Sequence, residues 1–275
     1  MNGGYLDLDL RPQMAEMGSA PAASQVAMII PPAVALAEGE VKWASDNSTL
    51  LLLWAAMGLC PDAPETWKQP VVRLGSMTGK PFVDAANTPL LHAACDALVG
   101  EGRWLRPNGL GSFPVRFPSP NDPGDAGWHI DVSFGTDNPD FMQWRANVKS
   151  SGRARLMLFL FSDVGELDAP TRIRKGSHRA IARQLLPAGE GGLTLGELAA
   201  DGFASTADCE EVSATGPAGT VYLCHPFLVH AAQPHRGSRP RFMAQPPLLP
   251  KGEFDPSRPP SAVQIAIRRA IGMEL

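Results

Sequence analysis

The stretch GWHIDVSF, residues 127–134, alternates polar and apolar side chains. In an extended strand, successive side chains point to opposite faces, so His129 and Asp131 project from one side and Ile130 and Val132 from the other. Two polar groups on one face mark either a strand that looks into solvent or the wall of a cavity that holds a metal. The pair alone does not decide between these readings.

Working outward, the same strand-like period recurs. SFPVRF (112–117), ARLMLFLFSDV (154–164), PTRIR (170–174), GTVYLCH (219–225), FLVHAA (227–232) and RFMAQPPLL (241–249) are short apolar or alternating runs separated by Gly, Pro, Asn and Asp. Helical patterns flank them. STLLLLWAAMGL (48–59) is apolar nearly all round, with Ser48 as an N-cap. NTPLLHAACDALVG (87–100) starts at an Asn87 or Thr88 cap with Pro89 in its first turn and stops at Gly100. A helical interruption spans about 178–202, and SAVQIAIRRAIGM closes the chain as an amphipathic helix. The expectation is a mainly β fold with flanking helices (α+β), a sandwich or barrel.

Composition narrows the class. The chain has 275 residues, 44% of them hydrophobic, enough for a buried core. A formal charge of −4 gives no footprint for nucleic acid. Cys60, Cys95, Cys209 and Cys224 are scattered without a C-x-x-C pair. Neither a structural zinc site nor a disulfide framework is expected, and a cytoplasmic location is the simplest compartment. VAMIIPPAVALAEG (26–39) imitates a signal-peptide core, but two prolines interrupt it and Arg11 is the one basic residue before it. No apolar run reaches the length of a membrane span, so no membrane partner is expected. Residues 1–45 read as a separate, partly mobile N-terminal segment, and 46–275 as a single domain.

The second polar cluster is GTVYLCHPFLVHAAQPHRGSRPRF, 219–242, which carries His225, His230 and His235, then Arg236, Arg239 and Arg241. His-x-Asp, a long gap, a histidine and then an arginine form an informative order. Two imidazoles and one carboxylate on one face of an octahedral metal are the donor set of non-haem Fe(II) oxygenases, and three positions stay open for co-substrate and dioxygen. The guanidinium fork then pairs with the remote carboxylate of a 2-oxo acid. A closed zinc site has no use for such an arginine.

With GWHID, DAPTRIRKGSH (168–178) and HPFLVHAAQPHRGSRPR (225–241), residues of roughly 70–250 resemble the phytanoyl-CoA dioxygenase family of Fe(II)/2-oxoglutarate-dependent oxygenases. The resemblance implies a double-stranded β-helix (jelly-roll, cupin-like) core over about 110–250. It implies Fe(II) as cofactor, 2-oxoglutarate and O2 as co-substrates, and hydroxylation of a small organic substrate. It makes His129, Asp131 and His230 the iron ligands. His225 takes a packing or supporting role, His235 stabilises a turn and His178 supports its loop. Arg239 and Arg241 stand nine and eleven residues after His230, and the family pattern admits both. Pro240 makes Arg239 a turn residue, whereas Arg241 begins an alternating run, so Arg241 is the expected 2-oxoglutarate partner and Arg239 the alternative. Arg116 is either a second contact to co-substrate or substrate, or a surface ion pair. Ala232 stands where many relatives have Ser, and Lys175 where Pro is usual.

Trp128, Trp144, Phe134 and Phe141 are either substrate-lining or ordinary core. Segments 135–152 and 178–202 are the expected sources of selectivity. Two other readings stay open: a cupin-type metal-binding isomerase or binding protein that does not use 2-oxoglutarate, and a non-catalytic scaffold. Neither the substrate nor the oligomeric state is legible.

Overall fold

The computed structural model describes residues 27–30, 47–252 and 257–273. The expected mobile tail and the signal-like run lie largely outside these residues. The exception is β1 (Ala27–Ile30), a strand inside the segment that the sequence left unassigned.

Strand β5 (Arg155–Leu160) is buried at all six positions, because both of its faces are covered. Met157 and Phe159 enter one core cluster, and Leu156, Leu158 and Leu160 enter another. β9 (Val221–Cys224) divides the same way, with Val221 and Leu223 on one side and Tyr222 and Cys224 on the other. These strands centre an antiparallel sheet in the order β1, β9, β5, β11 (Met243–Ala244), and β12 (Pro247–Leu248) continues along the same edge of β5. The pairs Arg116↔Arg241 and Ser112↔Gln245 join β3 (Phe113–Arg116) to that edge, and β2 (Val71–Leu74) pairs with β3.

The outer face of this sheet packs on α1 (Asn47–Met57), α2 (Lys80–Ala86) and α3 (Pro89–Val99), through Trp54, Phe82 and Leu91 among others. As expected, Thr88 caps α3, its side chain accepting from the Leu91 N–H at 3.2 Å. The inner face meets a second sheet, β10 (His230–Ala231), β6 (Arg172–Arg174) and β8 (Glu211–Ser213), with Ile173 in the shared core. A third cluster covers that sheet with α4 (His178–Leu185), α5 (Leu195–Ala199) and α6 (Ala262–Ala270). The layers therefore run helices, sheet, sheet, helices. No helix among the described residues is long and apolar enough to cross a membrane.

Several expected elements are shorter than their apolar runs. GWHIDVSF is extended but not one strand, since it changes partner midway: His129 pairs with His230, and Phe134 with Arg145. FLVHAA keeps only β10, because Leu228 N–H turns back to the His225 carbonyl at 3.0 Å. The 178–202 insertion is not wholly helical. After α4 it passes through β7 (Leu193–Thr194), paired with β4 (Arg145–Ala146), before α5.

Phe159 is fully buried on the face away from the second sheet. Replacing it with Ala is expected to cost about 3–5 kcal/mol of folding stability. The urea midpoint should fall with the m-value unchanged, because the cavity left there cannot collapse against flanking strands.

Candidate metal centre and anion site

A cavity of about 600 Å³ opens between the two sheets. Its wall is assembled on two cross-strand contacts, the backbone pairs His129↔His230 and Arg116↔Arg241. All four side chains line it.

His129 and His230 exchange both backbone hydrogen bonds at 2.9 Å, and their ring centroids lie 4.3 Å apart. Each Nδ1 sits 2.9 Å from the carbonyl oxygen two residues earlier, Gly127 for His129 and Leu228 for His230. A carbonyl only accepts, so Nδ1 carries the proton in both rings and each Nε2 keeps its lone pair. That is the tautomer that ligates a metal through Nε2. Burial, with His129 alongside, pushes His230 down to about 4, so it stays neutral across the physiological range.

The period-two reading holds through this stretch: Ile130 and Val132 are buried, while His129 and Asp131 face the other way, half-buried. Asp131 does not itself line the cavity. Its Oδ2 lies 3.1 Å from Nη1 of Arg153, yet that buried oxygen has no partner in hydrogen-bond geometry. Its charge reaches His230, whose protonated form it favours. Among the described residues, no three His, Cys, Asp or Glu side chains already stand as a metal-holding cluster. The structure thus brings the two histidines together and leaves the carboxylate beside them, turned to an arginine.

Arg116 and Arg241 are 2% and 1% exposed. Arg241 donates through Nη1 to the Ala169 carbonyl and through Nη2 to the Pro114 carbonyl, the latter at 3.2 Å, and its Nε has no partner. Ala169 holds a left-handed backbone, φ 53°, which aims that carbonyl at the guanidinium. Arg116 donates through Nη2 to Oδ2 of Asp125 at 2.6 Å, while Nε and Nη1 stay unpartnered. Arg73, on β2, reaches the same Asp125 oxygen. Burial, then the neighbouring Arg116, drop Arg241 to about 9. Arg239 is exposed and off the cavity, so the geometry separates the two arginines that spacing left together.

The other histidines stand apart from the cavity. His178 and His225 stack at 4.9 Å, both buried, and Nδ1 of His225 accepts the Phe227 N–H at 3.1 Å. His235 accepts the Gly237 N–H at 3.1 Å within its turn. His92 packs edge-on against Trp104. Of the four aromatics, Trp128 and Phe141 line the cavity and Trp144 and Phe134 do not. Trp128 is overlaid by the guanidinium carbons of Arg172 at 4.5 Å and Arg174 at 4.2 Å. Met142, from the 135–152 segment, and Leu195 and Ala199, from the insertion, complete an apolar wall. Sequence reasoning missed Arg73 and Asp125. The run VVRL (71–74), an apolar strand carrying one charge, could have signalled the first.

No family model matches the chain, and neither does any curated protein. Solved structures do resemble it. HygX from Streptomyces hygroscopicus, with nickel and 2-oxoglutarate bound, is 18% identical with a TM-score of 0.50, covering 88% of this chain and 87% of its own. The epimerase SnoN, in complex with Fe3+, alpha-ketoglutarate and nogalamycin RO, is 14% identical with a TM-score of 0.52, over 86% and 84% of the two chains. GIG2 (DUF1479) from Candida albicans is 12% identical with a TM-score of 0.55, over 96% and 76%. What the chain shares with them is the fold. At these identities the likeness extends neither to the residues of the site nor to the narrower phytanoyl-CoA dioxygenase group.

Proposed function

We propose that this chain is an Fe(II)- and 2-oxoglutarate-dependent oxygenase that hydroxylates a small organic substrate. The observation that carries the reading is one cavity holding both a pair of Nε2-free histidines and a buried arginine with no carboxylate of its own. Two of the three donors stand together: His129 and His230 supply imidazoles whose Nδ1 is committed to a carbonyl, and Asp131, whose buried Oδ2 has no partner in hydrogen-bond geometry, would complete the set by turning from Arg153. Arg153 stands by as that carboxylate's counter-charge. Fe(II), with 2-oxoglutarate and O2, supplies the oxidising power to attack an unactivated C–H bond.

The chain's own work is positioning. Arg241 binds the far carboxylate of 2-oxoglutarate, with its fork pre-oriented by the Ala169 and Pro114 carbonyls. The carbonyls of Gly127 and Leu228 fix the imidazole planes. Trp128, Phe141 and Leu195 keep water from the reacting end and hold the substrate's apolar body. A cupin-type site without 2-oxoglutarate would leave the buried, uncompensated Arg241 without a purpose.

Hydroxylation rather than halogen transfer follows from Asp131, since halogen-transferring relatives of this broad class lack the carboxylate ligand. Turnover in chloride and bromide buffers should release succinate and a product one oxygen atom heavier, or one desaturated, with no halogen isotope pattern in its mass spectrum. A halogenated product would remove Asp131 from the ligand set.

A further inference from the structure

We propose that Arg116 and Arg73, grouped around Asp125, form a second anion seat that receives an acidic group of the substrate, so that the substrate is an apolar organic acid. The proposal rests on the reading above and deepens it. Apart from the two histidines, the ionic groups lining the cavity are Arg73, Arg116, Arg241 and Asp125, three cations against one anion. A 2-oxoglutarate carboxylate at Arg241 leaves one positive charge over.

That charge falls on Arg116. It is 2% exposed, lines the cavity, and keeps Nε and Nη1 without an acceptor. A buried guanidinium short of acceptors is costly, and an incoming carboxylate relieves the cost. Its present partner, Asp125, is shared: one oxygen takes bonds from both Arg116 and Arg73. Arg73 is 56% exposed and sits where an approaching anion meets it before Arg116. The rest of the ligand is set by the apolar part of the same lining. Phe141 and Met142, on a single short turn, are 46% and 42% exposed, large apolar side chains that a bound apolar body would cover.

The test compares 4-phenylbutyrate with its neutral isostere 4-phenylbutanamide, titrated calorimetrically into the full chain loaded with Ni(II), with and without saturating 2-oxoglutarate. The acid is expected to bind at least tenfold tighter than the amide in both conditions. Arg116→Gln should erase that ratio. Arg73→Ala, at an exposed position where folding is not at stake, should reduce it at least threefold. Asp125→Asn should tighten the acid alone, by removing the competing carboxylate. Equal binding of acid and amide, or a ratio indifferent to both arginine variants, would overturn the second seat. If 2-oxoglutarate abolishes the acid preference, the acid was sitting at Arg241. The second seat then falls, while the co-substrate reading stands. If 2-oxoglutarate itself does not bind the wild-type chain, that reading fails separately, and loss or survival of the acid preference in Arg116→Gln and Arg73→Ala with Ni(II) alone still decides the acid seat.

Discussion

Replacing His230 by alanine is expected to cut metal affinity by more than about 100-fold, beyond the 10–100-fold that loss of a mere supporting partner costs, and to abolish turnover. His230 is 2% exposed, and its ring is fixed by the Leu228 carbonyl with Nε2 free. No other imidazole among the described residues is placed to replace it: His225 stacks on His178, and His235 is tied into its turn. The backbone pairing with His129 does not depend on the side chain, so the fold should survive, which a circular dichroism melt would check. His225→Ala is the control. It should lower stability through lost packing against Phe227 and His178 while leaving metal affinity close to wild type. If His230→Ala holds metal as well as the parent does and His225→Ala does not, the ligand assignment passes to His225.

The second large effect is expected at Arg241. Truncation to alanine should weaken 2-oxoglutarate binding by about 2–5 kcal/mol, on the order of 30-fold to several thousandfold, because a desolvated carboxylate would lose a charge-assisted fork. Arg239→Ala should do far less, since that side chain is exposed and off the cavity. The reverse ranking would move the co-substrate to Arg239. The pH dependence has a definite sign. Burial and Arg116 lower Arg241 to about 9, and only its protonated form attracts an anion. Affinity for 2-oxoglutarate should therefore hold up to that region and fall as pH rises through it, with the bound carboxylate moving the fall to somewhat higher pH.

The sequence carried the site to different depths. That the two histidines face one cavity was legible because each sits in a motif whose period sets the side chain's direction. That Arg241 rather than Arg239 lines the cavity was legible because Pro240 divides the turn from the strand. The partner of Asp131 was not, because Arg153 comes from the turn before β5 and no spacing rule ties 131 to 153. Arg73 and Asp125 escaped for the same reason: only the pairing of β2 with β3 brings residue 73 to the cavity. Secondary structure was legible as apolar runs more than as strands. RFMAQPPLL reads as one strand, but Pro246, which has no N–H to give the ladder, leaves β11 and β12 separate. The two-sided burial of β5 is, by contrast, written into six consecutive residues.

The two cross-strand pairs also act as a caliper. His129↔His230 and Arg116↔Arg241 are two rungs held apart by two tethers, residues 117–128 on one side and 231–240 on the other. In the proposed function, one rung holds one end of the co-substrate through the metal, and the other rung holds its far carboxylate. The length of molecule the protein accepts between those grips is thus set by backbone pairing, with no side chain measuring it. A residue inserted in either tether leaves every site residue in place in the sequence, yet it must be bulged out or it turns an arginine to the opposite face. Apart from Asp125, Trp128 and Ala232, which line the cavity, and Gly237, where a Cβ would meet Asp168, substitutions in 117–128 and 231–240 should therefore be tolerated far better than changes in their length.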